Sequence, residues 1–253
     1  LVAPSPQPFA VVMANARALM ACKAPDSTQI VLSRFGPGPG WQRREWLLLS
    51  WQAASAALDQ DRAVLALRRL ADGNLTRLDT ELLIVGQSED GLPLTRSALD
   101  LLANHEIAAG RPEAAVTVLL AGRTPGVVAS RRLGKIAELL APLDPERSDL
   151  LLEAALDQAA AEQAWGLAEE LLRLQLRLAL QRGGDADRPR ERLRRLASRV
   201  DDRLTLLELE QISPDFDPQR VQDLEDQLRS PRAIGGHASL GESDSSEAPA
   251  SNP

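Results

Sequence analysis

An all-α fold follows from three features of this 253-residue chain. Aromatic residues make up 3% of it and tyrosine is absent, so the Val, Ile, Tyr and Phe runs that a sheet would use are missing. Leu and Ala dominate the apolar 44%, and both lose little side-chain freedom in a helix. Apolar residues also recur at helical spacing almost without interruption from Trp41 to about Gln211.

Residues 1–40 read as an opening segment, with a helix from Phe9 to about Lys23. It is followed by Phe35-Gly-Pro-Gly-Pro-Gly40, which can continue neither a helix nor a central strand. This run lacks the Gly-Lys-Ser/Thr ending of a phosphate loop and reads as a linker. A helical domain over 41–230 comes next. The spacing predicts helices at Gln42–Leu58, Asp61–Ala71, Leu75–Val85, Thr95–Ala109, Pro112–Ala121, Val128–Ala141, Pro145–Gln163, Ala164–Gln181, Arg188–Val200 and Asp202–Gln211. Asp72-Gly-Asn74, Gly110-Arg-Pro112, Asp144-Pro145 and Gly183-Gly184 mark boundaries, with Pro112 and Pro145 suited to a first helical turn. Pro218–Ser230 forms a last amphipathic helix with Val221, Leu224 and Leu228 on one face. Residues 231–253 are mostly Gly, Ser, Ala and Pro with three acids and little apolar content, a composition that predicts a disordered acidic tail.

Three stretches share a pattern: Asp61…Ala66…Leu70, Gly110…Ala115…Leu119 and Gln163…Ala168…Leu172. A small or aliphatic residue (Ala53, Leu102, Ala155) lies eight places before each. The starts are 49 and 53 residues apart (61 to 110, 110 to 163), enough for a helix pair plus a third helix. A single pair cannot bury its apolar stripe, so such units stack.

The middle stretch, Arg96 to about Gly122, resembles a tetratricopeptide repeat through Leu99, Leu102, Ala103, Gly110, Ala115 and Leu119. The family's repeat is shorter, has no third helix, and keeps aromatic positions mostly lacking here. The resemblance covers about a third of the chain and implies a short α-solenoid of stacked helix pairs. It also implies a ligand groove lined by the first helix of each pair, placing Trp51, Ser55, Ser97, Asp100, Asn104, Glu153 and Asp157 in its wall. Such an acid-lined groove suits a basic or neutral peptide segment or helix, with Trp51 as its apolar anchor. The same acids also fit a plain solvated helix face.

A net charge of −7 argues against bulk attraction to nucleic acid or anionic membrane. No stretch reaches the roughly 18 apolar residues of a membrane span. A single cysteine, Cys22, excludes an intrachain disulfide and fits a reducing, cytoplasmic setting. Phe9 to Cys22, with Ala21 before the cysteine, is similar to a lipoprotein signal, but Asn15 and Arg17 interrupt it and no basic residue precedes it. Only Lys23 and Lys135 are lysines among the 29 basic residues, a bias that coding preference explains as readily as function.

Residues for chemistry are sparse. His237 lies in the tail, and His105-Glu106 lacks a second His at zinc-binding spacing. There is no Gly-x-Ser-x-Gly elbow. No catalytic residue, cofactor or metal site is expected. Arg188, Arg192, Arg195 and Arg199 line one stripe of a helix that could grip phosphates or an acidic partner. Asp185, Asp187, Glu191, Asp201 and Asp202 flank it, so a paired, solvated face is the competing reading. Asn74-Leu-Thr76 spells a glycosylation acceptor without a secretory signal. Trp41, Trp46 and Trp51, five apart, rotate around a helix, with Trp46 expected in the core and the other two more exposed. The expected function is a protein-binding adaptor or assembly factor. The alternatives are an enzyme with an unrecognised site, or a lipoprotein tethered through Cys22.

Overall fold

Twelve α-helices and one two-stranded sheet make up the regular structure of residues 7–213 and 216–229, which the computed structural model describes. The all-α expectation holds. The expected disordered tail, 231–253, lies outside the described residues. The chain forms two compact units, Leu1–Leu178 and Ala179–Pro253, the division falling inside one long helix. The expected domain, 41–230, thus takes in parts of both.

The first unit opens with α1 (Phe9–Ala21) and α2 (Pro25–Ser33), which pack on α3 (Trp41–Ala56). Phe9, Met13 and Ala16 meet Leu32 and Leu49 in one buried cluster. The helix α2 was not among the sequence expectations, although Pro25 at its first turn and Asp26 beside it are ordinary start signals. It fills most of the gap between Lys23 and the glycine-proline run.

Next come α4 (Gln60–Ala71), α5 (Ala98–Ala108), α6 (Pro112–Leu120), α7 (Val127–Leu140), α8 (Pro145–Ala161) and α9 (Trp165–Arg182). Three helix pairs close with one turn. Leu58, Gly110 and Gln163 sit at φ 58°, 74° and 55°. The following N–H bonds back to the carbonyl five residues earlier: Asp59 to Ala54, Arg111 to Glu106 and Ala164 to Ala159, each at 2.9 Å. This is the left-handed helix stop in which orphan carbonyls find donors. Lys23 (φ 55°), with Ala24 bonded to Leu19 at 2.9 Å, closes α1 the same way.

These turns correct the repeat register. They stand 35, 52 and 53 residues apart (23 to 58, 58 to 110, 110 to 163). The matching alanines are therefore Ala63, Ala115 and Ala168, and the matching leucines Leu67, Leu119 and Leu172, all buried. The first stretch read from sequence, Asp61…Ala66…Leu70, is displaced by three residues. Three residues is almost one helical turn, so the slip lands on nearly the same face and leaves the pattern apparently intact. An interval of 35 fits a bare pair; the longer intervals each contain an inserted element.

Between α5/α6 and α8/α9 that element is α7. Between α3/α4 and α5/α6 it is not the expected helix Leu75–Val85. Asn74 caps one 3-10 turn, Leu75–Leu78, and the chain then forms a hairpin of β1 (Leu82–Gln87) and β2 (Pro93–Ser97). The strands are antiparallel, with Leu82 opposite Ser97, Ile84 opposite Thr95 and a bulge between Ile84 and Gly86. Ser88 closes the turn: its N–H donates to Leu92 O at 2.8 Å, its Oγ accepts from Leu92 N–H at 3.1 Å, and Gly91 takes φ 76°. β-branched Ile84, Val85 and Thr95 with Gly86 and Gly91 favour this over a helix. The expected helix Thr95–Ala109 accordingly begins later, at Ala98, capped by Ser97 Oγ on Leu99 N–H at 3.1 Å.

The second unit holds α10 (Asp187–Val200), α11 (Arg203–Gln211) and α12 (Pro218–Leu228) around buried Leu193, Ala197, Leu209 and Leu224. No helix among the described residues is long and apolar enough to cross a membrane.

Candidate functional site

The polar residues of α5 are held from inside the fold. Arg132 of α7 is buried and reaches Asp79 at 2.6 Å and both oxygens of Asp100 at 2.7 and 3.1 Å. Asp79 also accepts the backbone N–H groups of Arg123 at 2.6 Å and Thr124 at 2.8 Å. Burial pushes the Asp79 carboxyl up, but these donors outweigh it and bring it down to about 2. Burial likewise opposes charge on Arg132, and its two carboxylate partners more than restore it. Gly122 packs against this guanidinium so closely that a Cβ there would collide with Nη1. The cluster ties the turn before the hairpin to α5, α7 and the loop after α6.

A second cluster lies at the other end of α5. Buried Glu106 accepts from Arg68 at 3.0 and 2.5 Å and from Arg111 at 2.6 Å, and Arg111 also reaches Asp61 at 2.6 Å. Burial raises the Glu106 carboxyl, yet the Arg111 and Arg68 bonds hold it below the usual carboxylate range. Beside it His105 is half-buried. Trp51 donates its indole N–H to His105 Nε2 at 3.1 Å, and His105 Nδ1 lies 2.8 Å from Gln60 Oε1. An indole nitrogen can only donate, so Nε2 is the acceptor and Nδ1 carries the proton of a neutral ring. Burial lowers the His105 pKa in support of that form. Every group in these clusters is spent on a neighbour, an arrangement that cross-braces helix pairs.

The expected groove residues fall into different surroundings. Trp51 is 5% exposed and belongs to the core, contrary to its expected role as an exposed anchor, because it fills the space between α3, α4 and α5. Trp46 is half-buried, donating to Leu32 O at 3.2 Å, and Trp41 is exposed, edge-on to Phe9. Ser55 lies 3.3 Å from His105 Nε2. Ser97 is a helix cap that also donates to Leu78 O at 3.1 Å, and Asp100 is committed to Arg132. Glu153 accepts from Gln175 at 2.8 Å. Asn104 and Asp157 are exposed.

In the second unit, Arg195 of the basic stripe pairs with Glu191 at 2.8 Å, and Arg199 is exposed. Arg188 is exposed and Arg192 half-buried, and each has an interaction of its own. The Arg195 bond, ahead of a smaller one from Arg194, holds the Glu191 carboxyl below its ordinary range. A cleft of about 570 Å³ is lined by Arg190, Arg194, Arg220, Asp187, Glu191 and Glu210, where cations and acids balance. Cys22 is exposed. Among the described residues no group of three or more His, Cys, Asp or Glu is placed to hold a metal ion.

The hairpin is the surface that sequence reasoning missed. Leu82, Ile84, Val85, Leu92 and Leu94 are 63%, 57%, 43%, 66% and 49% exposed, while Leu83 alone on β1 is buried. No third strand joins the sheet among the described residues. Stable proteins usually blunt such an edge with charge or cover it. The legible signal was the Leu-Leu-Ile-Val run closed by two glycines. Comparison of the sequence with protein-family models and with curated proteins returns no match.

Proposed function

We propose that the chain is a protein-binding scaffold without chemistry of its own, and that its docking element is the hairpin, residues 82–97. The observation that carries this reading is the contrast between spent polar groups and unspent apolar ones. Around α5 the carboxylates and guanidinium groups are paired with one another, and the imidazole is bonded to Trp51 and Gln60. The hairpin, standing where the neighbouring repeat has α7, exposes five large apolar side chains beside an open strand edge. Several large apolar side chains exposed on one element are characteristic of an interaction site. The groove of the tetratricopeptide resemblance keeps Asn104 and Asp157 as its exposed polar positions and is the second reading.

The test is retention of cross-linked partners by tagged protein in native extract. One variant carries Ile84→Lys with Leu94→Lys; another carries Asn104→Lys with Asp157→Lys. Loss confined to the hairpin variant supports the hairpin. Loss confined to the second variant moves the site to the groove, and equal retention by all three proteins overturns both readings.

A further inference from the structure

The open edge of β1 has a chemistry that selects what covers it. Ala98 N–H donates to Glu81 O at 2.7 Å, which makes that pair a hydrogen-bonded rung of the antiparallel ladder. Bonded and non-bonded rungs alternate, so the pairs Leu82/Ser97 and Ile84/Thr95 are non-bonded. The backbone N–H and C=O groups of Leu82 and Ile84 therefore point away from β2, toward the open edge. Pro93 begins β2 and cannot donate, so the other edge is the blunted one.

From Leu82 to Gln87 the strand carries no charge and no proline. A segment with high strand propensity and no charge offers nothing that repels a copy of itself. Charges lie only at the ends of the hairpin. Glu89 and Asp90 are exposed at its tip, Arg96 is exposed near its base, and none of the three has an ion pair or side-chain hydrogen bond among the described residues. Arg44, paired with Glu81, stands at the base as well. A parallel neighbour would set acidic tip beside acidic tip. An antiparallel neighbour sets each tip toward the other copy's arginine-bearing base.

We propose that β1 pairs antiparallel with β1 of a second copy of this chain, making a four-stranded intermolecular sheet. A two-fold axis at Leu83 bonds Leu82 of each copy to Ile84 of the other, satisfying the outward groups of both strands. The side chains of Leu82 and Ile84 lie on one face, so this register gathers those of both copies into one apolar cluster opposite the face of buried Leu83. The proposal rests on the hairpin being the docking element and names its occupant.

Sedimentation velocity of the full chain over a wide concentration range is the first measurement. The expected wild-type species is a dimer. Ile84→Pro removes an outward N–H that β2 does not use, and Ile84→Lys places a charge in the cluster; both are expected to give monomers with unchanged far-UV circular dichroism. In a Cys22→Ser background, a mixture of Leu82→Cys chains and Ile84→Cys chains should cross-link on oxidation, while either alone should not. A monomeric wild type, a dimer that survives both Ile84 substitutions, or cross-linking of either single-cysteine chain alone at the level of the mixture overturns the proposal. If the wild type is monomeric yet the hairpin variant still loses a partner from extract, the docking reading stands and the occupant is a different protein. If neither occurs, both fall.

Discussion

At the scale of single residues, this protein keeps its buried charges only because each has a geometrically fixed partner. Arg132 is the extreme case, buried between Asp79 and Asp100. Arg132→Met strands Asp79 against its remaining partners and should cost about 3–5 kcal/mol, read from urea unfolding. Asp79 also sets an acid limit. Its carboxyl is lowered from 3.8 to about 2 in the fold, so the unfolded chain binds its proton first as pH falls. The stabilisation is fully present above pH 4 and is lost toward pH 2, a span worth about 2 kcal/mol. Asp79→Asn should remove that part of the slope. His105 acts in the same direction at milder pH. Its folded pKa lies below the ordinary 6.5 because burial disfavours the charged ring, and protonation also removes the acceptor of the Trp51 N–H. Stability should be unaffected well above pH 6.5 and fall as pH drops through and below it. His105→Ala, though less stable at pH 8, should show a flatter profile between pH 7 and 5 in denaturant titrations.

At the scale of elements, close helix crossings depend on missing side chains. A Cβ on Gly134 of α7 would press into Leu171 Cδ2 of α9, where both residues sit in the interior. Gly134→Ala should therefore destabilise by about 1–3 kcal/mol despite the better helix propensity of alanine. A midpoint shift of thermal or urea unfolding measures it. If alanine stabilises, Leu171 has room to turn aside. The repeat was legible at this scale, but its register was not. Leu58 and Gln163 are unremarkable in a sequence, and only their left-handed φ shows that they stand where Gly110 does. The helix α2 was legible in principle through Pro25 and Asp26. The hairpin was legible only in part: the Leu-Leu-Ile-Val run with Gly86 and Gly91 points to strands, but Leu75–Val85 also carries enough apolar residues at helical spacing to pass for a helix. Its strand state depends on the Ser88 turn and on Asp79 being held by Arg132 from far along the chain.

For the whole molecule, the hairpin's exposure implies that its apolar side chains contribute little to folding of one chain. Ile84→Lys with Leu94→Lys should leave the unfolding free energy of the monomeric chain within about 0.5 kcal/mol of wild type, as surface substitutions do. A larger loss would mean that the hairpin is packed rather than presented. Composition and periodicity by themselves determined that the chain is helical, that its helices come as stacked pairs, and where most of them begin and end. These are local properties: propensity, caps and an apolar stripe that must be buried. Tertiary structure alone decided which polar residues are available. Asp100 looked like a groove acid and proved to be the partner of Arg132; Trp51 looked like an anchor and proved to be core bonded to His105. Sequence spacing says which face of a helix a residue occupies, whereas what covers that face comes from elements tens of residues away. The apolar hairpin is the converse case, since whether a run of Leu, Ile and Val is core or surface depends on whether anything folds over it.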